Sequence, residues 1–182
     1  MSKLNRLRQA YAPHEHRPLG GYIGSMALHV STTAALALIA RLTGRRMPQR
    51  PAPSDIVLVS IATHKLARLV AKNSVTSPIR APFTSYERPI GSGEVMEQVR
   101  DEGSTARHTA GELLSCPFCT AVWVATGLTA GLVLAPRFTR LVATAATAVA
   151  VSDFLQMAYA MAQQAAEHPR GAVERPAAHA AG

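Results

Sequence analysis

Cys116 and Cys119 frame the sequence Cys-Pro-Phe-Cys, directly after Ser115 and directly before an uncharged apolar run. Two thiols at i and i+3 on a helix start can close a redox disulfide or supply half of a zinc site, and a helix N-terminus favours the thiolate. Pro117 fits a first helical turn, with Ser115 as the expected cap. A zinc site needs two more ligands. His108 lies eight residues upstream and His64 could reach the same membrane face, but this spacing matches no standard zinc pattern. Zinc is therefore the one cofactor the residues bring up. Packing or a tight turn is the competing role for the pair, and thiol redox chemistry the third. No other catalytic constellation stands out, so a non-enzymatic protein is expected.

A second set of residues is ionisable inside apolar surroundings. Asp153 interrupts the run Phe138–Met161. A charge there is costly unless it faces protein or water, and His29 or Arg68 are its expected partners. Such a pair serves either as a polar lock between helices or as a step in a proton path. His64, Lys65 and Arg68, with Arg80 and Glu112, form a third set. Basic side chains at a membrane face can grip a phosphate or lipid headgroup, or simply anchor the helix end.

The elements that position these residues follow from where charge is missing. Residues 20–40 carry no Asp, Glu, Lys or Arg, and 21 residues of helix span about 30 Å, the thickness of a bilayer core. A signal peptide is the competing reading, but the run starts late and lacks a small-x-small cleavage pattern. Pro48, Pro51 and Pro53 then bar helix. Residues 55–71 form a second, more charged span with Ser54 as its expected cap. Residues 116–135 and 138–161 are the third and fourth. Between them lies a polar loop, 72–115, with Pro78, Pro82 and Pro89 and a Gly-Ser-Gly at 91–93. In it we expect a short amphipathic helix near Glu94–Asp101 and another from about Ser104. Gly127-x-x-x-Gly131 and Gly20-x-x-x-Gly24 are expected helix contacts. A basic tail (1–19) and a disordered tail (164–182) flank this 20–163 membrane domain. The expected fold is all-α: a polytopic bundle of four spans, or of three if 55–71 lies in the interface.

Composition supports a membrane protein over a nucleic-acid binder. Of 182 residues, 19 are Lys or Arg and 11 Asp or Glu, a net charge of +8, but the charges sit between apolar windows and no basic stripe is interleaved with aromatics. Aromatics make up only 5 %, so a water-soluble core would rest on alanine methyl groups that bury little area each. With four spans and the N-terminus inside, six arginines fall outside (Arg41, Arg45, Arg46, Arg50, Arg137, Arg140), leaving 13 of the 19 Lys and Arg inside. The three-span alternative, with the N-terminus outside, again gives 13 inside and 6 outside. Both place the 72–115 loop in the cytoplasm of a bacterial cell whose inner membrane holds the chain, where thiols stay reduced.

Three stretches read as one pattern. They are His-Lys-x-x-Arg (His64, Lys65, Arg68), Ser-Pro-x-Arg-x-Pro-Phe (Ser77, Pro78, Arg80, Pro82, Phe83), and Glu-x-x-x-Cys-Pro-x-Cys-x-x-x-Trp (Glu112, Cys116, Pro117, Cys119, Trp123). In this order they resemble the bacterial membrane-protein family catalogued as domain of unknown function 1360, over roughly residues 54–161. Asn73 stands where that family usually carries an acid. The resemblance implies an integral membrane protein without an assigned activity, with relatives in spore formers. It also implies that second span, loop and third span form one module. The expected role is a scaffold or partner-binding protein in the lipid bilayer, with a homo-oligomer or another protein as partner. A metal or thiol site and a proton-coupled transporter are the alternatives.

Overall fold

In the computed structural model, residues 10–13, 17–46, 48–100 and 104–171 are described. Six helices and one hairpin follow in order: α1 (Leu19–Leu42), α2 (Pro53–Lys72), a 3-10 turn (Ser74–Thr76), α3 (Ser77–Arg80), β1 (Thr84–Pro89), β2 (Val95–Val99), α4 (Thr105–Ser115), α5 (Pro117–Leu134) and α6 (Pro136–Gly171). Three are long and apolar enough to cross a membrane: Leu19–Leu42, Pro117–Leu134 and Pro136–Glu167. The four apolar windows are thus helices close to their expected bounds. The fourth runs further, so residues 164–171 are helical rather than tail; 172–182, and most of the N-terminal tail, lie outside the described residues.

α2 does not belong to that apolar set, because Asp55, Lys65, Arg68 and Lys72 interrupt it. It is nevertheless the helix most enclosed by its neighbours. Its Ala62, Ala67 and Ala71 are buried, and Ala62 packs with Leu128 of α5 and Ala143 and Ala146 of α6. Seven of the nine buried hydrophobic residues among those described are alanines, while Met26, Leu28, Phe138, Leu141, Leu155 and Met161 are all exposed. Small residues line the helix contacts and large ones face outward. That is the reverse of a soluble bundle and fits helices solvated by lipid.

Direction along the bundle is fixed by pairs of contacts. Arg140 near the start of α6 donates to Asp55 near the start of α2 (2.9 and 2.7 Å), Thr147 Oγ1 donates to Leu58 O (3.2 Å), and Lys65 Nζ donates to Asp153 (2.5 Å). α2 and α6 therefore run parallel. α5 and α6 form a tight antiparallel turn, in which Gly131 meets Thr139 so closely that a Cβ on the glycine would lie 2.5 Å from Thr139 Oγ1. α1 runs parallel to α5: Tyr22 reaches Glu112 just ahead of α5, and His29 meets Trp123 edge-on at 4.9 Å. The four long helices thus alternate in direction. Of the described residues, one end, the cap end, holds 73–100 and 104–115; the other, the turn end, holds 43–46, 48–52 and the α5–α6 turn.

The cap end corrects the all-α expectation. The segment expected as a helix near Glu94–Asp101 is strand β2, antiparallel to β1, with a bulge between Tyr86 and Arg88. Val95-Met-Glu-Gln-Val99 has no clean alternation, but Gly91 and Gly93 at φ 140° and 76° make the turn that only glycine adopts readily. The helix expected from Ser104 is present, and the Ser104 hydroxyl accepts from Arg107 N–H.

The expected caps at Ser54 and Ser115 are not formed. α2 opens on Pro53 without a side-chain cap, and Ser115 Oγ donates to Gly111 O while Cys116 caps α5. Nor do the glycine pairs act as spaced. Gly24 and Gly127 face open space, whereas Gly21 lies on Thr109, where a Cβ would come within 1.9 Å of its hydroxyl.

Candidate functional site at the cap end

The cap is organised around one side chain. α2 ends at Lys72 with carbonyls that no helical N–H satisfies. Arg80, at the end of the single-turn α3, folds back and supplies donors: Nη1 donates to Val70 O (2.6 Å) and Thr76 Oγ1 (2.7 Å), and Nη2 to Asn73 O (3.0 Å) and Ser77 Oγ (3.2 Å). Its remaining fork meets Glu97 of β2, with Nε to Oε2 at 2.6 Å and Nη2 to Oε1 at 3.0 Å. Arg80 is fully buried and the Glu97 side chain is 5 % exposed. A guanidinium desolvated so completely requires this paired, multiply bonded setting.

Burial pushes the Glu97 carboxyl upward. The Arg80 hydrogen bond and charge, with the Thr84 and Ser77 hydroxyls, outweigh it and hold the carboxyl below its ordinary range. Thr84 completes the knot by donating to Arg80 O and Glu97 Oε2.

Further bonds tie the cap to its neighbours. Asn73 Oδ1 accepts from Val75 N–H, so the amide does locally what an acid at that position would do. Ser74 N–H donates to Gly93 O, Arg100 Nε to Thr84 O, and Arg107 to Pro82 O. Arg68, in the last turns of α2, forms a bidentate pair with Glu94 (2.9 and 2.5 Å). Gly111 of α4 lies against Val99 and the Phe83 carbonyl with no room for a Cβ. Hairpin, α4 and the end of α2 are one bonded unit.

The other anticipated residues divide among three places. His108 and Arg17 each approach Glu112 at 3.7 Å, and Tyr22 also hydrogen-bonds it, where α1 meets α4. Cys116 and Cys119 are adjacent, and Cys119 N–H donates to Cys116 Sγ at 3.3 Å. His64 is elsewhere, stacked on Phe154 at 6.3 Å. Among the described residues no three His, Cys, Asp or Glu side chains group so as to hold a metal ion. Asp153 pairs with Lys65, not with His29 or Arg68; Arg68 is taken by Glu94 and His29 by Trp123.

Glu97, Asp55, Tyr22 and Thr109 are the participants that sequence reasoning missed. The Gly-Ser-Gly loop signals a hairpin, which sets Glu97 opposite Tyr86, but nothing in the spacing pairs Glu97 with Arg80.

Residues 58–159, more than half of the chain, match the family described as "Protein of unknown function (DUF1360)". The chain belongs to this family. It is similar to a protein of Bacillus subtilis (strain 168) named "Sporulation protein YjcA", 38 % identical over 71 residues, covering 38 % of this chain and 60 % of that one. It is also similar to "UPF0713 protein YngL" of the same organism, 29 % identical over 82 residues, covering 44 % of this chain and 59 % of that one. The matched segments thus span about three fifths of each curated relative. No solved structure matches the chain significantly.

Proposed function

We propose that this chain is a four-span protein of a bacterial inner membrane whose cap, residues 73–115, is a rigid cytoplasmic platform that docks a protein partner. The observation that carries this reading is the buried Arg80–Glu97 knot beside large apolar side chains that stay exposed among the described residues. Val75, Ile79 and Tyr86 are 83, 55 and 65 % exposed while their neighbours Arg80 and Thr84 are sealed. A segment locked on one side and apolar on the other is built to present a surface, not to close over a substrate.

What supports four spans is that α2 runs parallel to α6 and that its Asp55 and Lys65 are each paired with an α6 side chain, which lowers the cost of placing it at the same depth as its neighbours. The cytoplasmic side is supported by the distribution of Lys and Arg. From the relative named for sporulation we carry over the shared membrane module and leave that role with the relative.

The test is site-specific photo-crosslinking in intact cells, with the probe at Tyr86 and, as control, at exposed Met26 on α1. A partner or second copy captured from Tyr86 and not from Met26 is expected. Identical capture patterns, or none from Tyr86, would contradict the platform.

A thiol role for Cys116 and Cys119 is the second reading, favoured by the helix-start N–H of Cys119 that donates to Cys116 Sγ. It predicts that Cys116→Ser and Cys119→Ser each change the alkylation rate of the remaining thiol. Equal rates would remove it. The transporter reading makes Asp153 the proton carrier, yet its carboxylate is held by Lys65 at 2.5 Å, which favours the polar lock.

A further inference from the structure

At the turn end the bundle is not closed. Between α1 and α5 an apolar groove of about 390 Å³ is lined by Leu36, Ala37, Ala40, Ala130, Val133 and Leu134, among others. Its volume lies in the range of small-molecule sites.

The groove ends where the two helices end. α1 closes on Gly44 at φ 67°, with Gly44 N–H donating to Arg41 O and Arg45 N–H folding back to Ala40 O at 2.9 Å, so the backbone of Arg45 sits over a lining residue. Arg41 follows Ala40 directly, and Arg137 follows Leu134 by three residues across the α5–α6 turn. Arg41, Arg45, Arg46 and Arg137 are exposed, and among the described residues none has an acidic partner. At the cap end, by contrast, Lys65, Arg68 and Arg80 are each held by a carboxylate. The one acid at the start of α2, Asp55, is already taken by Arg140.

We infer that this groove and its arginine rim bind one anionic glycerophospholipid, with an acyl chain along α1 and α5 and the phosphate among Arg41, Arg45 and Arg137. The inference rests on the membrane reading above. Apolar lining alone would accept any lipid tail, or a helix of a second copy. The exposed arginines that follow its lining residues at both helix ends select a negative headgroup, because guanidinium and phosphate form charge-assisted, often bidentate hydrogen bonds.

Native mass spectrometry tests this on the full chain in detergent, equilibrated with equal amounts of phosphatidylglycerol and phosphatidylcholine bearing the same acyl chains. A single phosphatidylglycerol adduct is expected to dominate. Arg41→Gln with Arg137→Gln should weaken it by about 25-fold, at about fivefold per arginine near an anionic headgroup. Arg41→Lys should largely retain it, and Arg88→Gln at the cap end should leave it unchanged. Ala37→Phe, which fills the groove, should remove the adduct with the rim intact. Equal adducts of both lipids would overturn the proposal, as would an arginine variant that binds like the parent protein. So would a dimer peak lost on Ala37→Phe, which would make a second copy the occupant. Recovery of the chain from cells without detergent would instead sink the membrane reading itself.

Discussion

The bundle and the cap are held together by different physics. In the bundle, alanine meets alanine across α2 and α6, large side chains face outward, and polar contacts between these two helices are few: Asp55 with Arg140, Thr147 with the Leu58 carbonyl, and Lys65 with Asp153. In the cap, a 27-residue stretch from Asn73 to Val99 is folded by hydrogen bonds to a single buried guanidinium, and few apolar side chains are enclosed with it. The bundle has no need to bury large side chains if lipid solvates them. The cap is too small for a core of its own and relies instead on satisfied polar groups. The difference teaches where each region is fragile: the bundle to changes in size, the cap to changes in charge.

The largest effect is expected at the cap's centre. Arg80→Ala leaves Glu97 buried without its partner, a loss of about 3–5 kcal/mol for a broken buried pair. Limited proteolysis between residues 73 and 100 should become fast while the spans stay protected. Arg80→Lys should rescue little, because an ammonium cannot reproduce the planar fork to Glu97 and the α2 carbonyls. A cap that resists protease in Arg80→Ala would show that it does not hang on this residue.

Next comes size in the bundle. Ala62→Leu adds bulk where Ala62 is fully enclosed among Leu128, Ala143 and Ala146, at a cost of about 1–3 kcal/mol. Gly127→Ala, facing open space, should change the melting temperature hardly at all. Comparable melting shifts for the two would break the contrast between contact-lining and outward positions.

The ionic ties between helices should be smaller and compensable. Asp153→Asn or Lys65→Met alone leaves a charge partly buried without its partner, and the abundance of membrane-inserted protein should fall. The double variant should recover much of it. If Asp153→Asn kept full abundance and lost cellular function, the proton-path reading would gain what the lock loses.

The pH dependence is the mildest test. The folded carboxyl of Glu97 lies below its ordinary value, so its contribution is fully present above the unfolded glutamate pKa of about 4.3 and is lost as pH falls through the lower folded value. Protease resistance of the cap should therefore persist at pH 6 and decline only in acid below that range. Loss on the alkaline side of neutrality would give the opposite sign.

Much of the bundle was legible because scarce charge is a strong signal: each apolar window is a helix within a few residues of its expected bounds, except that α6 runs on to Gly171. The cap was less legible. Val95–Val99 carries both apolar and charged residues, and an amphipathic helix and a strand of five residues share that composition. Only the flanking glycines separate them. Arg80 and Glu112 stood out by type, but their partners come from other elements, so neither the Glu97 fork nor the Tyr22 contact could be read from spacing. The histidines mislead for the same reason. His64 and His108 look like ligands beside a Cys pair, and the fold turns one toward Phe154 and the other toward Glu112.

The central claim is that α2 crosses the membrane and carries the cap to the opposite side from the α1–α2 link. Single cysteines at Arg50→Cys and Tyr86→Cys, in a Cys116→Ser, Cys119→Ser background, can be labelled in intact spheroplasts with a membrane-impermeant maleimide. Both positions are exposed, and α2 is the one long helix between them. The account predicts labelling at residue 50 in intact spheroplasts and at residue 86 only after lysis. Labelling of both under the same condition would put link and cap on one side and lay α2 flat.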